Sequence, residues 1–329
     1  MPIERKDRSF DLIFDQVSMD HIPAEYIREV QINLATGEKV VLTQEDLKKI
    51  KEAAPKDDIL KALTVDSMSK INLKLDYDAI KSDVMNGVTG FLGKHFIKGL
   101  SKNHQTIYIL DTKELNEEIK KDFSAVDIQF FNVNVSEENE VVNFFNSISK
   151  NDIPLTTLLN AAASNPAINS DGMIDSSKFE DFKLENFNSS LINSLTGSAL
   201  MCREFVKHTS IQNNDYEKLI LNVGSDLSVI APDNRIYEKK GSREEIFKPI
   251  EYSISKHGIL GLTKYLAVYL ADKNFRVNTL SPTGVFDNQD KEFVNNFSNT
   301  VPLGRMLNAE ELVSHVSYLT SEDSKFLTG

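Results

Sequence analysis

The sequence predicts an α/β fold: a doubly wound parallel sheet preceded by a small α+β module. Three observations carry this. From about residue 86 onwards, short apolar strand-like runs alternate with helical stretches. A glycine-spaced turn, Gly87-x-x-Gly90-x-x-Gly93, opens the first helix of that series. Residues 1–84 read differently, as strands alternating around a turn behind a charged leader. The expected domains are therefore an accessory module at 1–84 and a dinucleotide-binding domain at 85–329.

Composition narrows the function. The chain has 329 residues, 40% hydrophobic and 26% charged, as soluble globular proteins do. A net charge of −12 argues against a nucleic-acid surface, which needs clustered lysine and arginine. One cysteine, Cys202, rules out an internal disulfide and fits a reducing cytoplasm. The N-terminus MPIERKDRSFDLIFDQ has no apolar signal region, and no apolar run approaches the roughly 18 residues of a membrane span. The six histidines show no metal-ligand spacing. A cytoplasmic, metal-free protein acting on a small molecule is expected.

In the module, Glu29 to Leu34 and Lys39 to Leu42 alternate as strands around the turn Ala35-Thr36-Gly37-Glu38. Thr43 and Asp46 can cap a helix to about Ala53, stopped by Pro55. Ile71, Leu73 and Leu75 alternate again. No catalytic constellation appears, so the module reads as a structural or partner-binding appendage.

The glycine turn suits a pyrophosphate, because glycine lets the backbone approach closely and the helix N-terminus favours an anion. The strand Thr106 to Leu110 follows, then Asp111, 24 residues past Gly87. An acid there holds the adenosine ribose hydroxyls of NAD and repels the extra phosphate of NADP, so NAD(H) is expected over NADP(H). The plain alternative is an aspartate ending a strand. Ahead of the turn, Ala79 to Met85 carries two charges, which suits a central parallel strand poorly. The usual first strand is therefore expected to be replaced.

Asp127 to Val135 predicts a third strand, Glu137 to Ser149 a helix, and Leu155 to Leu159 a fourth strand running into Asn160-Ala161-Ala162. Residues 164–186 read as loop with short helices, and Phe187 to His208 as a helix. The strand Lys218 to Val223 leads to Ser225. The charged insert Pro232 to Pro249 borders the site, and its Arg235 and Arg243 could engage a phosphate or carboxylate; solvated loop charge is the alternative. A long amphipathic helix begins near Tyr252, followed by the strand Arg276 to Leu280.

Tyr252 and Lys256, four apart, share a helix face. An adjacent ammonium favours the phenolate, lowering a pKa ordinarily about 10. Ser225 would hydrogen-bond the same substrate oxygen. This is chemistry for alcohol–carbonyl interconversion, and it needs a hydride carrier. The spacing alone is weak, since Tyr77 with Lys81 and Tyr269 with Lys273 share it. Only Tyr252 has a strand-ending serine before it and Ser281-Pro282 on a strand after it.

The runs SDLSVIAPDNRIY, KPIEYSISKHGILGLTKYLA and LSPTGVFDNQ resemble the short-chain dehydrogenase/reductases over about residues 86–329. Within that family they are similar to the oxidoreductases of flagellin modification and nonulosonic acid biosynthesis. The resemblance implies a Rossmann-like fold with Ser225 positioning substrate, Tyr252 as acid/base, and Lys256 binding the nicotinamide ribose and tuning Tyr252. It places Gly87, Gly90, Gly93 and Asp111 on the cofactor, Asn134 and Val135 against the adenine, and Asn160 and Ala161 beneath it. Pro282, Gly284 and Val285 would lie near the nicotinamide. Three departures stand out. Ser194 holds the position of the family's usual asparagine, with Asn193 one step off. Thr283 replaces a usual glycine. The chain stops at Thr328-Gly329, before the family's last strand, so the domain reads as C-terminally truncated with Arg276 to Leu280 as a bare edge. The resemblance also implies a homo-oligomer, a dimer or tetramer. The expected function is NAD(P)-dependent oxidation or reduction of a sugar or sugar-phosphate-like substrate in surface-glycan biosynthesis. A catalytically idle dinucleotide-fold scaffold or viral accessory protein is the alternative.

Overall fold

The computed structural model describes strands at 27–34, 39–43 and 68–75, and residues 82–329 apart from 105, 116–120, 124–125, 150–152, 164–167, 170–171, 174–177, 213–214 and 240–245. The chain divides into two compact units, Met1–Ile80 and Lys81–Gly329. In the first, β1 (Ile27–Leu34) pairs antiparallel with both β2 (Lys39–Thr43) and β3 (Met68–Leu75). The register sets Ile32 opposite Val40 and Ile71, and Val30 opposite Leu42 and Leu73, so the alternation read from sequence is the pairing pattern. The helix expected after Thr43 lies outside the described residues.

The second unit is built on a six-stranded parallel sheet. Its strands are β4 (Ser82–Asn86), β5 (Thr106–Asp111), β6 (Asp127–Asn132), β7 (Leu155–Asn160), β10 (Lys218–Val223) and β11 (Phe275–Leu280). Their spatial order is β11-β10-β7-β4-β5-β6. The short hairpin β8 (Ile168–Asn169) and β9 (Gly172–Met173) stands apart. The chain leaves β4 towards β6, crosses back to β7 and continues outward, so the order reverses between β4 and β7. Helices α1 (Gly93–Leu100) and α6 (Glu311–Thr320) cover one face; α2 (Glu138–Ile148), α4 (Gly197–Ile211) and α5 (Ile250–Tyr269) cover the other. Strand alternation divides the core accordingly. Met85, Ile107, Ile109, Leu159 and Leu221 pack with Phe96 and Val316; Val84, Tyr108, Leu158 and Ile220 pack with Phe144 and Phe205.

The sequence predicts that the usual first strand is replaced; the structure corrects this. Ser82–Asn86 is a full central strand, paired in parallel with both β5 and β7. Lys81 precedes it, and the acid inside it meets a histidine. Asp83 is 0% exposed, and His104 Nδ1, just past α1, lies 2.9 Å from its Oδ1. A buried carboxylate is tolerable when a partner of this kind meets it.

Two boundaries also move. The third strand ends at Asn132, because the Asn134 Oδ1 accepts from Ser136 N in a turn that leads into α2. The long helix expected at Phe187 to His208 is α3 (Leu184–Leu191), a π-helical turn at Ile192–Thr196, and α4. At the rim of the sheet, β11 is not bare. Gly329 N donates to Val277 O (2.8 Å), Val277 N to Thr328 Oγ1 (3.1 Å) and Asn278 Nδ2 to Leu327 O (2.8 Å).

Candidate active site

Every strand of the six-stranded sheet points its C-terminal end to one edge, which gathers Gly87, Asp111, Asn160, Ser225 and Pro282 there. Parallel sheets bind ligands at this edge, where the strand order reverses. Gly87 has φ +74°, and a Cβ on it would fall 2.3 Å from Ala162 N. A Cβ on Gly93 would strike Val88 O. The fold itself demands both glycines. Gly90 is different: its Cβ would meet nothing nearer than Gly87 O at 3.9 Å, so the space above it is open. The first turn of α1 carries no acid. Asp111 Oδ2 accepts from Thr89 N (2.9 Å) and Oδ1 from Lys113 N (3.2 Å), which brings the carboxylate against the turn. Open backbone, an acid-free helix N-terminus and a carboxylate at the strand end together fit a dinucleotide.

A row of buried amides crosses the sheet behind this turn. Asn86 Nδ2 donates to Asn160 Oδ1 (2.6 Å), Asn160 Nδ2 to Asn222 Oδ1 (2.9 Å), and Asn222 Nδ2 to Thr263 Oγ1 on α5 (2.9 Å). Thr279 on β11 also donates to Thr263 (2.7 Å). Asn86 Oδ1 accepts from Ala161 N and Ala162 N, fixing the small-residue turn after β7. The row ties the glycine turn to the helix that carries Tyr252.

On that helix, Tyr252 and Lys256 sit one turn apart, with Ser225 facing them from the end of β10. The Ser225 hydroxyl lies beside the Tyr252 phenol and counters part of the effect of burial on it. Ser225 also closes a reciprocal cap with Ser228 around the 3₁₀ turn Asp226–Ser228. Lys256 is buried, donates to Val223 O (2.9 Å), and its Nζ lies 5.7 Å from the Tyr252 ring centroid. The sequence predicts a phenol lowered by that ammonium. In the structure, burial dominates and pushes Tyr252 above its ordinary value; Asp226 adds to the rise and the Ser225 hydroxyl opposes it. Burial, with Lys248 adding, pushes Lys256 down to about 8.

Sequence reasoning did not single out Lys248 or Asp226. Lys248 Nζ lies 3.9 Å over the Tyr252 ring centroid, nearer than Lys256, and burial lowers it to about 8 against the pull of Asp226 and Glu251. It is four residues before Tyr252, the mirror of the Lys256 spacing, but it lies ahead of the helix, where spacing fixes no face. Asp226 accepts from Ser225 Oγ (2.8 Å), Leu227 N (2.8 Å) and Thr283 Oγ1 (3.0 Å). Thr283 thus has a hydrogen-bonding role at the position where the family has glycine. Beside Lys248 opens a cleft of about 290 Å³, walled by Lys178, Phe179, Asn234 and Phe247.

The remaining expected residues fall as follows. Asp226 N donates to Pro282 O (3.0 Å), Gly284 O accepts from Leu307 N (3.0 Å), and Val285 bridges Leu307. A Cβ on Gly284 would collide with the Phe297 ring, so this glycine is required by packing. Asn134 serves the turn before α2, and Val135 is buried against Gly197. Ser194 is buried, and Asn193 Oδ1 accepts from Ser136 Oγ (2.6 Å). Arg235 is 81% exposed and forks onto Asp233 of its own turn, the solvated alternative; Arg243 lies outside the described residues. Among the described residues there is no group of three or more potential metal ligands and no helix long and apolar enough to cross a membrane.

This fold and edge define a dinucleotide-fold protein of the oxidoreductase kind. Residues 91–329 match the profile of the family described as enoyl-(acyl carrier protein) reductase, and the chain belongs to the short-chain dehydrogenase/reductase family. A curated relative, the post-translational flagellin modification protein A of Campylobacter coli, is 36% identical over 135 residues. That match covers 41% of this chain and spans half of the relative's length. Among solved structures, a short-chain dehydrogenase from Leptospira borgpetersenii with bound NAD+ is 28% identical, with a TM-score of 0.65 over 78% of this chain and 92% of that one. ElxO with NADP bound, at 22% identity and a TM-score of 0.60 over 76% and 94%, shows the shared fold.

Proposed function

We propose that the protein transfers a hydride between NAD(H) and a hydroxyl or ketone on a sugar or sugar-phosphate-like small molecule, in the assembly of a surface glycan. The observation that carries this is the convergence of Ser225, Tyr252 and Lys256 at the sheet edge beside the open glycine turn. When bound, a nicotinamide accepts or supplies the hydride. Ser225 Oγ holds the substrate oxygen. Tyr252 Oη takes the hydroxyl proton as the carbinol is oxidised and returns it when a ketone is reduced. Lys256, held by Val223 O, supplies positive charge beside the phenol, which works against the burial that raises it. Asp111, at the end of β5, favours NAD(H) by repelling the 2′-phosphate of NADP(H). The flagellin-modification relative supports a glycan substrate, as do the aromatic and amide walls of the cleft beside Lys248. Exposed Ile254, Tyr265 and Val268 (80% exposed) on α5 support assembly with a second copy through that helix.

The test is a fluorescence titration of the purified protein with NADH and NADPH, joined to turnover on sugar alcohols and ketoses. NADH should bind more tightly than NADPH. Tyr252→Phe should keep NADH affinity within a few-fold and lose turnover by about 10²-fold or more, the usual worth of a positioned proton donor. Residual activity above about a tenth would remove Tyr252 from this role.

A further inference from the structure

Lys248 joins two places. Its ammonium stands over the ring of Tyr252, and the residue lines the cleft of about 290 Å³. Lys178 lines the same cleft and brings a second cation. Phe179, 65% exposed, and Phe247 supply aromatic surface, and Glu180 supplies an acceptor. Asn234 is positioned by the insert itself, its Oδ1 accepting from Lys248 N (3.3 Å). Among the charged groups around Lys248, Asp226 and Glu251 favour its ammonium, Lys178 and Glu180 line the same cleft, and its own charge opposes that of Lys256.

We propose that this cleft is an oxyanion site, and that the substrate is a polyhydroxylated ring bearing a carboxylate or phosphate, held by Lys248 with help from Lys178. The inference rests on Ser225, Tyr252 and Lys256 being the reacting centre, and it names the substrate class of that centre. An ammonium is a point charge suited to either oxyanion, and charge-assisted hydrogen bonds are about twice as strong as neutral ones. Bound negative charge also relieves the repulsion between Lys248 and Lys256. The aromatic walls match the apolar face of a sugar ring, and Glu180 and Asn234 match its hydroxyls. An uncharged acyl chain would instead strip water from the lysines without replacing it.

Calorimetry on the full chain loaded with NADH tests this with three probes: N-acetylneuraminate, a sugar carboxylate; glucose 6-phosphate, a sugar phosphate; and N-acetylmannosamine, which is neutral. At least one anion should bind about tenfold more tightly than the neutral sugar, as a charged hydrogen bond provides. The anion that binds better identifies carboxylate or phosphate as the group taken. Lys248→Met should weaken that anion about tenfold, Lys248→Arg should restore most of it, and Lys178→Met should weaken it as well. NADH affinity should stay within about twofold in all three. Equal binding of neutral and anionic probes, no binding of either anion, or unchanged binding in Lys248→Met overturns the proposal. Lys248-dependent anion binding by a protein that fails to bind NADH would keep the cleft and sink the hydride-transfer reading instead.

Discussion

Tyr252 stands between two lysines, Lys256 one helical turn on and Lys248 just ahead of the helix, and each carries a cost of burial. Both have pKa values near 8 in the fold, against about 10.4 for an ordinary lysine. Below about 8 the folded and unfolded chains are both protonated, and the fold bears the whole cost of the buried charges. Between about 8 and 10 the unfolded chain binds more protons than the folded one, so stability rises with pH across that window. The rise in melting temperature over this range should be smaller in Lys256→Met than in the parent protein. Equal slopes would show that Lys256 titrates at its ordinary value. Ser225, Tyr252 and Lys256 were legible in the sequence because strand end and helix spacing are local properties. Lys248 was not, although its spacing mirrors that of Lys256. It precedes Pro249, the cap of α5, in a stretch that reads as loop, and loop spacing fixes no face.

The elements divide what the fold requires from what a ligand requires. Gly90→Ala should not lower the melting temperature, because nothing in the protein crowds the new methyl group, yet should weaken NADH about tenfold or more. An equal affinity would place the dinucleotide elsewhere. Asn222→Leu tests the amide row. It leaves Asn160 Nδ2 with Cys202 Sγ at 3.3 Å as a poor substitute and removes the donor to Thr263, a loss of about 1–3 kcal/mol on chemical denaturation. The parent's stability in that variant would mean water replaces the amide. The central strand β4 was misread for a related reason. Counting charge in Ala79 to Met85 penalises Asp83, whereas the fold answers it with His104, 21 residues on, which no local pattern connects.

At the scale of the whole molecule, the glycine turn, the amide row and the Ser225–Tyr252–Lys256 set all lie in the unit Lys81–Gly329. Removing residues 1–80 should therefore leave NADH affinity and the oligomeric state on size-exclusion chromatography unchanged. Loss of either in a folded truncation would give the first unit a direct part. The alternation of strand and helix was legible across most of this unit, because each parallel strand is an apolar run and each helix an amphipathic one. The amide row was invisible, since three asparagines in three separate strands say nothing until the strands are aligned. That alignment has a consequence for how the sheet is assembled. Asn86 and Asn222 each sit directly opposite Asn160 in the ladder, and Thr279 opposite Asn222. Uniform aliphatic strands can slide past one another at little cost. Here a slip by one residue would turn a carboxamide to the wrong face and strand its neighbours without partners. The row thus acts as a vernier: four strands, whose other residues would accept several offsets, lock only where all its marks coincide.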